Sequence, residues 1–189
     1  MSMRRDDVIR LILARRDGAI IAATYLAAFD LMRLGPDPLN YLSIGAMGQA
    51  SSHGLGLALG RPDKKVIVLD GDGSLLMNLG SLATIAGAAP ANLVHFVFHN
   101  GCYEANGSHP LPGGGAVDFA MIARGAGISD AMNFDEIGSF TAALPGLLSR
   151  PGPVFASLAV VPGDPSPLDY DFIHGAETRR RFREAVARR

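Results

Sequence analysis

The 189 residues suffice for one domain with a full core, and a hydrophobic content of 48% excludes an intrinsically disordered chain. The formal net charge of −1 argues against a protein that binds nucleic acid by neutralising its phosphates. No apolar run reaches membrane-spanning length, the N-terminus lacks a signal-peptide core, and the single cysteine, Cys102, allows no intrachain disulfide, so we expect a cytoplasmic protein with no membrane partner.

Helices and short apolar strands alternate along the first third of the chain. Hydrophobic side chains recur at helical spacing from residue 6 onward, and residues 19–23 form a continuous apolar run that is typical of a buried strand. In chain order we expect a helix over 6–16, a strand over 19–23, a helix over 26–34 that ends at Gly35, a strand over 41–44 and a helix over 49–60.

The alternation continues toward the C-terminus. In chain order we expect a strand over 66–69, a helix over 74–86, a strand over 93–98, a helix over 118–126, a helix from Phe134 to about 148, a strand over 153–160 and an arginine-rich helix over 177–189. Asn133 is predicted to cap the helix that begins at Phe134, with Glu136 completing a capping box, and Pro145 to kink or interrupt that helix.

This order of elements predicts an α/β fold, a doubly wound, mostly parallel sheet with helices on both faces. We expect a single domain over residues 1–189, with its core at about 18–160 and a helical C-terminal tail at about 167–189. The arginines of the tail indicate a solvated face or a subunit contact.

Two polar turns follow two neighbouring strands of the predicted sheet. Gly71-Asp72-Gly73-Ser74 comes after the first strand and Asn100 after the second, so a right-handed crossover would bring both turns to one edge of the sheet. The oxygens of Asp72 and Asn100 suit Mg²⁺, Ser74 can cap the next helix, and the free N–H groups at that helix start suit a phosphate. The first turn alone is more typical of an ordinary surface turn, whereas the pair favours a magnesium-diphosphate site.

The same residues carry a resemblance to a known family. The Gly71–Ser74 turn followed by Asn100 resembles the cofactor motif of thiamine diphosphate enzymes. The stretches 45–52, 56–59, 100–104, 118–119 and 122–124 are similar to phosphonopyruvate and sulfopyruvate decarboxylases. The resemblance covers about residues 18–160 and implies thiamine diphosphate and Mg²⁺ as cofactors.

The resemblance also implies roles for individual residues. The metal ligands would be Asp72, Asn100 and the main-chain carbonyl of Cys102. The contacts to the coenzyme would come from Thr24, Gly45, Ala46, Met47, Gly71, Asp72, Gly73, Ser74, Asn100, Cys102 and Tyr103. Met47 would lie under the coenzyme and hold it bent, although a methionine is also a flexible core filler. Thr24 would lie beside the diphosphate, or else is an ordinary β-branched strand residue. Relatives often carry glycine near Tyr25.

Residues 103–116 predict an irregular, mobile loop that closes over a substrate. We expect His109 to act as a proton donor or anion contact, or else to be a solvated loop histidine, and Glu104 to cap a helix start or to order the loop. These two are the candidate catalytic residues. Arg124 is a second candidate for binding a substrate anion. Relatives often have histidine in place of Tyr103 and glutamine in place of His109.

Thiamine chemistry also needs a carboxylate on the aminopyrimidine ring, which in the family comes from a separate pyrimidine-binding domain. The segment before Gly45 is too short for that domain, so we expect a diphosphate-binding β subunit that completes its active site with a separate α subunit in a homo- or hetero-oligomer. The implied reaction is decarboxylation of a small 2-oxo acid, with sulfopyruvate and phosphonopyruvate as leading substrates. The alternatives are another split thiamine diphosphate enzyme, acetolactate synthase-like or a 2-oxoacid oxidoreductase, or a non-catalytic binding or assembly subunit.

Overall fold

A parallel sheet forms the middle layer of the protein. The computed structural model describes residues 3–113, 116–163 and 166–188. The strands within these ranges are β1 (Met3–Arg4), β2 (Ile20–Thr24), β3 (Asn40–Ser43), β4 (Val66–Gly71), β5 (Leu93–His99), β6 (Cys102–Tyr103), β7 (His109–Pro110), β8 (Asp130–Phe134) and β9 (Val154–Val161). In the described residues, seven of these strands form one sheet, and β6 and β7 form a separate antiparallel pair.

The order of strands across the sheet is β3-β2-β4-β5-β9, and all pairs are parallel. The far side of β9 pairs with β8 along residues 154–158 and with β1 at residues 160–161. After β2 the chain first moves outward to β3 and then returns to β4 on the other side of β2. Open α/β sheets bind ligands at the carboxyl ends of the strands where the order reverses in this way.

Helices cover both faces of this sheet. They are α1 (Arg5–Leu13), α2 (Tyr25–Leu34), α3 (Ala50–Gly60), α4 (Asp72–Leu76), α5 (Gly80–Ala88), α6 (Phe119–Gly125), α7 (Ile137–Ser149), α8 (Tyr170–His174) and α9 (Ala176–Ala187). One core lies between the sheet and α1, α2 and α7, and a second lies between the sheet and α3, α5 and α6. The predicted doubly wound α/β fold is confirmed. Within the ranges that the structure covers, no helix combines the length and the apolar character needed to cross a membrane.

The helix predicted over 74–86 is wrong, because two helices occupy this stretch. Between α4 and α5, the Asn78 side chain leaves the helix and donates from Nδ2 to the carbonyl of Gly48, at 2.8 Å. The Ser81 hydroxyl donates to the Asn78 carbonyl, also at 2.8 Å. Asn78 is a weak helix former, so the tertiary bond from its side chain to Gly48 outweighs its local helix preference and breaks the helix there.

The helix start predicted at Phe134 is also wrong, because residues 130–134 form β8. Asn133 caps nothing and instead donates from Nδ2 to Oδ1 of Asp118, at 2.9 Å. Glu136 stands at the N-cap position of α7 without a side-chain capping bond. Pairing with β9 satisfies the backbone of this segment and overrides its local capping signals. The helix then continues through Pro145 without interruption.

The C-terminal helix α9 lies against the edge strand β3. The ring of Phe182 packs on the ring of Tyr41, with a centroid distance of 5.3 Å. On the exposed face, Arg180 forms ion pairs with Glu177 and Glu184. Exposed ion pairs of this kind add little stability, so apolar packing is what holds α9 on the sheet edge. The predicted arginine-rich helix is confirmed.

The packing of α3 on β4 makes a first prediction, because a Cβ added at Gly54 would lie 2.2 Å from Cγ2 of Val68. We expect Gly54→Ala to lower the free energy of unfolding by about 2 kcal/mol through overpacking. Gly56→Ala in the same helix is the matched control, since a Cβ there meets nothing within 4 Å. It should raise stability by up to about 1 kcal/mol, as alanine is the better helix former. Urea unfolding measures both, and equal effects would refute the packing argument.

Candidate cofactor and metal site

A cavity opens at the carboxyl ends of β2, β4 and β5, where the strand order reverses. From the predicted set it is lined by Thr24, Met47, Gly71, Asp72, Gly73, Ser74, Asn100, Cys102, Tyr103 and Glu104. The parallel pairing of β4 with β5 brings the two polar turns together at this edge. Most of the site residues that were predicted from the sequence therefore line one cavity at the ends of three strands.

Asp72 joins the two polar turns. This first residue of α4 is 2% exposed, and its Oδ2 accepts hydrogen bonds from the backbone N–H groups of Asn100, at 2.9 Å, and of Gly101, at 2.7 Å. Its Oδ1 accepts from the N–H of Gly73, at 2.7 Å. Burial raises the pKa of the Asp72 carboxyl above its ordinary value, although the N–H groups of Gly101 and Gly73 act against the rise. One carboxylate thus fixes the end of β5 against the start of α4.

The side chain of Asn100 is held by Glu104 and Cys102. Nδ2 of Asn100 donates to Oε2 of Glu104, at 2.7 Å, and Oδ1 accepts from the backbone N–H of Cys102, at 3.1 Å. A carboxylate only accepts hydrogen bonds, so Glu104 must face the NH₂ end of the amide. The oxygen of Asn100 is therefore presented on the side of Cys102. Burial raises the pKa of the Cys102 thiol, which favours its protonated form.

Ser74 does not cap α4, contrary to the prediction. The N-cap position belongs to Gly71, and Oγ of Ser74 accepts from the backbone N–H of Gly48, at 2.9 Å. Gly48 has a φ of +82°, which a glycine adopts without strain. Its carbonyl is bound by Asn78, so both polar groups of this residue are fastened to the α4 region. The turn after β3 is thereby fixed beside the cavity.

Within that turn the predicted residues differ in their positions. Met47 is half-buried and lines the cavity. Gly45 and Ala46 are exposed and lie outside the lining, so in this chain by itself they face solvent. On the other side of the cavity, Tyr103 packs over Gly73, where an added Cβ would lie 2.5 Å from Cδ1 of the ring. Only glycine allows this close approach.

The end of β2 contributes an unsatisfied hydroxyl and a strained residue. Thr24 is buried, and its Oγ1 has no hydrogen-bond partner among the described residues, although it lines the cavity. Tyr25, the next residue, has a φ of +48°, a conformation that is rare for an aromatic residue. Unsatisfied buried polar groups and strained backbone concentrate at functional sites. A polar ligand in the cavity, such as a phosphate oxygen, would give Thr24 its missing partner.

Two candidates for substrate contacts lie elsewhere. His109 is exposed on β7 and is not part of the cavity lining. Arg124 is exposed on α6 and donates from Nη1 to the carbonyl of Ala131. The loop over 103–116 is less irregular than predicted, because β6 and β7 form a small hairpin in it. Gly114 and Gly115, which belong to this predicted mobile loop, lie outside the described residues.

Glu104 does not cap a helix, because it follows the N-cap position of the 3₁₀ turn over 104–106. Its Oε2 accepts from Nη1 of Arg5, a residue that the sequence analysis did not nominate. The two residues are 99 positions apart, so no local motif links them. The one sequence signal was an arginine at the start of a helix, where the helix dipole disfavours a cation.

Asp70 is the second residue missed by the sequence analysis. It is fully buried at the end of β4 and lines the cavity. Its Oδ1 accepts from the N–H of Gly71, at 2.9 Å, and its Oδ2 lies 3.4 Å from Nε2 of the buried His95. Among the described residues, no group of three or more His, Cys, Asp or Glu side chains is arranged to hold a metal ion. The predicted metal site is of another kind, with one carboxylate, one amide and one carbonyl.

An open parallel α/β sheet with a cavity at its topological switch point defines a class of ligand-binding α/β domains. Residues 22–157 match the C-terminal TPP binding domain of the thiamine pyrophosphate enzymes. This chain belongs to that family. A solved structure from Mycobacterium smegmatis, described as a putative thiamin diphosphate-dependent enzyme, has the same fold with a TM-score of 0.71 and 23% identity, over 86% of this chain and 32% of that one.

Two curated relatives of this chain are decarboxylases by name. Phosphonopyruvate decarboxylase of Streptomyces viridochromogenes is 37% identical over 90% of this chain and 43% of its own length. The β subunit of sulfopyruvate decarboxylase from Methanothermobacter thermautotrophicus is 34% identical over 87% of this chain and 85% of its own length. This chain therefore spans less than half of the first relative and most of the second.

Proposed function

We propose that this chain is the β subunit of a thiamine diphosphate- and Mg²⁺-dependent decarboxylase of a small 2-oxo acid. The observation that carries the proposal is the bond of Asp72 to the backbone of Asn100, which places a carboxylate and an amide oxygen in one cavity of a domain from this family. The names of the relatives support decarboxylation, and favour sulfopyruvate or phosphonopyruvate as substrate.

The residues of the cavity fit the two cofactors. Asp72, Asn100 and the carbonyl of Cys102 would hold Mg²⁺, which suits hard oxygen ligands, few of them from protein. The hydroxyl of Thr24 would bind the diphosphate, and Met47 would support the aminopyrimidine ring together with its neighbours at positions 45–46. When bound, the coenzyme supplies an electron sink for the loss of CO₂ from a 2-oxo acid.

The residues of this chain bind the cofactors and hold the turns that contact them in place. Asp72 holds the Asn100 turn in place, and Ser74 fixes the turn that carries Met47. The proton-transfer role expected of His109 stays a prediction, as does a cytoplasmic location. A separate α subunit would supply the carboxylate for the aminopyrimidine ring. The relative named as a β subunit, which this chain covers over most of its length, supports that arrangement.

The binding step is tested by calorimetry with thiamine diphosphate. With Mg²⁺ present we expect saturable binding to this chain, weakened by about tenfold or more in EDTA, because the metal links the diphosphate to the protein. Thiamine without phosphates is the matched control and should not bind. Equal binding in EDTA, or equal binding of thiamine, would overturn the proposal.

A further inference from the structure

Arg5 is a buried cation at the edge of the cofactor cavity. It is the first residue of α1 and is 5% exposed, on a helix whose apolar residues Val8, Ile9 and Ile12 belong to one core of the sheet. Arg5 is among the residues that line the cavity. A buried arginine needs partners for its charge and its N–H groups, so its partners indicate what it does.

Two carboxylates compensate this charge. Nε of Arg5 donates to Oδ2 of Asp30, at 2.6 Å, and Nη1 donates to Oε2 of Glu104. Burial by itself lowers the pKa of Arg5, but the attraction of Asp30 and Glu104 outweighs it, so the guanidinium stays charged. Asp30 has further partners in Ser166 and Arg33. Arg5 is therefore the link between this buried polar network and the cavity.

The same oxygen of Glu104 binds Arg5 and Asn100. Oε2 accepts from Nη1 of Arg5 and from Nδ2 of Asn100, the latter at 2.7 Å. Arg5 thus fixes the carboxylate, and the carboxylate fixes which end of the Asn100 amide faces it. Without Arg5, a carboxylate would lie uncompensated beside the cavity and would be free to turn toward solvent. The amide would then lose the partner that keeps its oxygen on the side of Cys102.

We propose that Arg5 is a positioning residue that acts through Glu104 to orient the Asn100 amide oxygen for the divalent metal. The inference rests on the proposed function. Groups that orient metal ligands in this way affect metal affinity by about 10- to 100-fold. The competing explanation is that Arg5 only neutralises Asp30, in which case its loss would affect folding stability but not the metal.

Mn²⁺ replaces Mg²⁺ as the probe, because the electron paramagnetic resonance signal of free Mn²⁺ reports binding without any enzyme assay. The titration is made on the full chain in millimolar thiamine diphosphate, and the same titration without protein is subtracted because the free diphosphate also binds Mn²⁺. Arg5→Met is expected to weaken Mn²⁺ binding by about tenfold or more, and Arg5→Lys to recover part of the loss. Arg33→Met is the matched control, because Arg33 belongs to the same network and does not bind Glu104; it should bind Mn²⁺ like the wild type.

A double-mutant cycle separates the two explanations. If Arg5 acts through Glu104, Arg5→Met should change Mn²⁺ affinity by less than about twofold in a Glu104→Ala background. An equal loss in both backgrounds, or no loss in either, overturns the inference. If Arg5→Met does not fold, Glu104→Gln decides instead, because it leaves Arg5 in place; unchanged affinity in that variant also overturns it. Absence of Mn²⁺ binding by the wild-type chain would overturn the proposed function, and this inference with it.

Discussion

Replacing Asp72 by alanine should abolish Mg²⁺-dependent binding of thiamine diphosphate. The change removes the carboxylate proposed as a metal ligand, and it also removes the acceptor of three backbone N–H groups, those of Gly73, Asn100 and Gly101. Groups that only support a metal ligand are worth about 10- to 100-fold in affinity, so loss of a ligand should cost at least 100-fold. Calorimetry with and without EDTA measures the effect.

Loss of stability must be separated from loss of binding in this variant. Each unsatisfied buried N–H group costs about 1–3 kcal/mol, so Asp72→Ala should also lower the free energy of unfolding. Asp169→Ala is a matched control, because Asp169 caps α8 by accepting from the N–H of Phe172 at an exposed site. It should lose about 1 kcal/mol of stability and no binding. Normal affinity in a folded Asp72→Ala protein would contradict the assigned metal site.

The second large effect concerns the partner chain. Mixing this chain with a pyrimidine-domain α subunit should start CO₂ release from sulfopyruvate or phosphonopyruvate, whereas this chain by itself should release none. The reason is chemical, because activation of the coenzyme needs a carboxylate at the aminopyrimidine ring, and in the proposed assembly that carboxylate comes from the α subunit. A coupled assay for CO₂ measures the rates.

The control for this experiment is the same α subunit mixed with the Asp72→Ala chain, which should stay inactive. Activity of the unmixed wild-type chain would refute the need for a partner. Activity on an unrelated 2-oxo acid, with none on the two leading substrates, would leave the partner requirement standing and correct the substrate. The experiment therefore tests the need for an α subunit separately from the identity of the substrate.

The site was predictable where its residues follow buried strands. Residues 66–69 and 93–98 are apolar runs that predict two neighbouring parallel strands. The topology of a parallel pair puts both carboxyl ends at one edge of the sheet, and it therefore predicts that Asp72 and Asn100 lie at that edge. The structure brings these two residues into direct contact. The position of a site residue can thus be predicted from local sequence when the residue directly follows the strand that positions it.

Other features depend on contacts that local sequence does not encode. Ser74 and Asn78 have side chains that favour helix caps and turns, but both bind Gly48, which is 26 positions from Ser74 and 30 positions from Asn78. Residues 130–134 carry mixed polarity and stand beside capping signals, so only their pairing with β9 makes them a strand. Arg5 reaches Glu104 across 99 positions. These are tertiary effects that override local preference.

The most direct test of the metal site is anomalous diffraction from a crystal of this chain grown with Mn²⁺ and thiamine diphosphate. We expect an anomalous peak between the carboxylate of Asp72 and the amide oxygen of Asn100, with the diphosphate beside the hydroxyl of Thr24. A peak at another place in the molecule, or a bound diphosphate that contacts neither Asp72 nor Asn100 through the metal, would contradict the account.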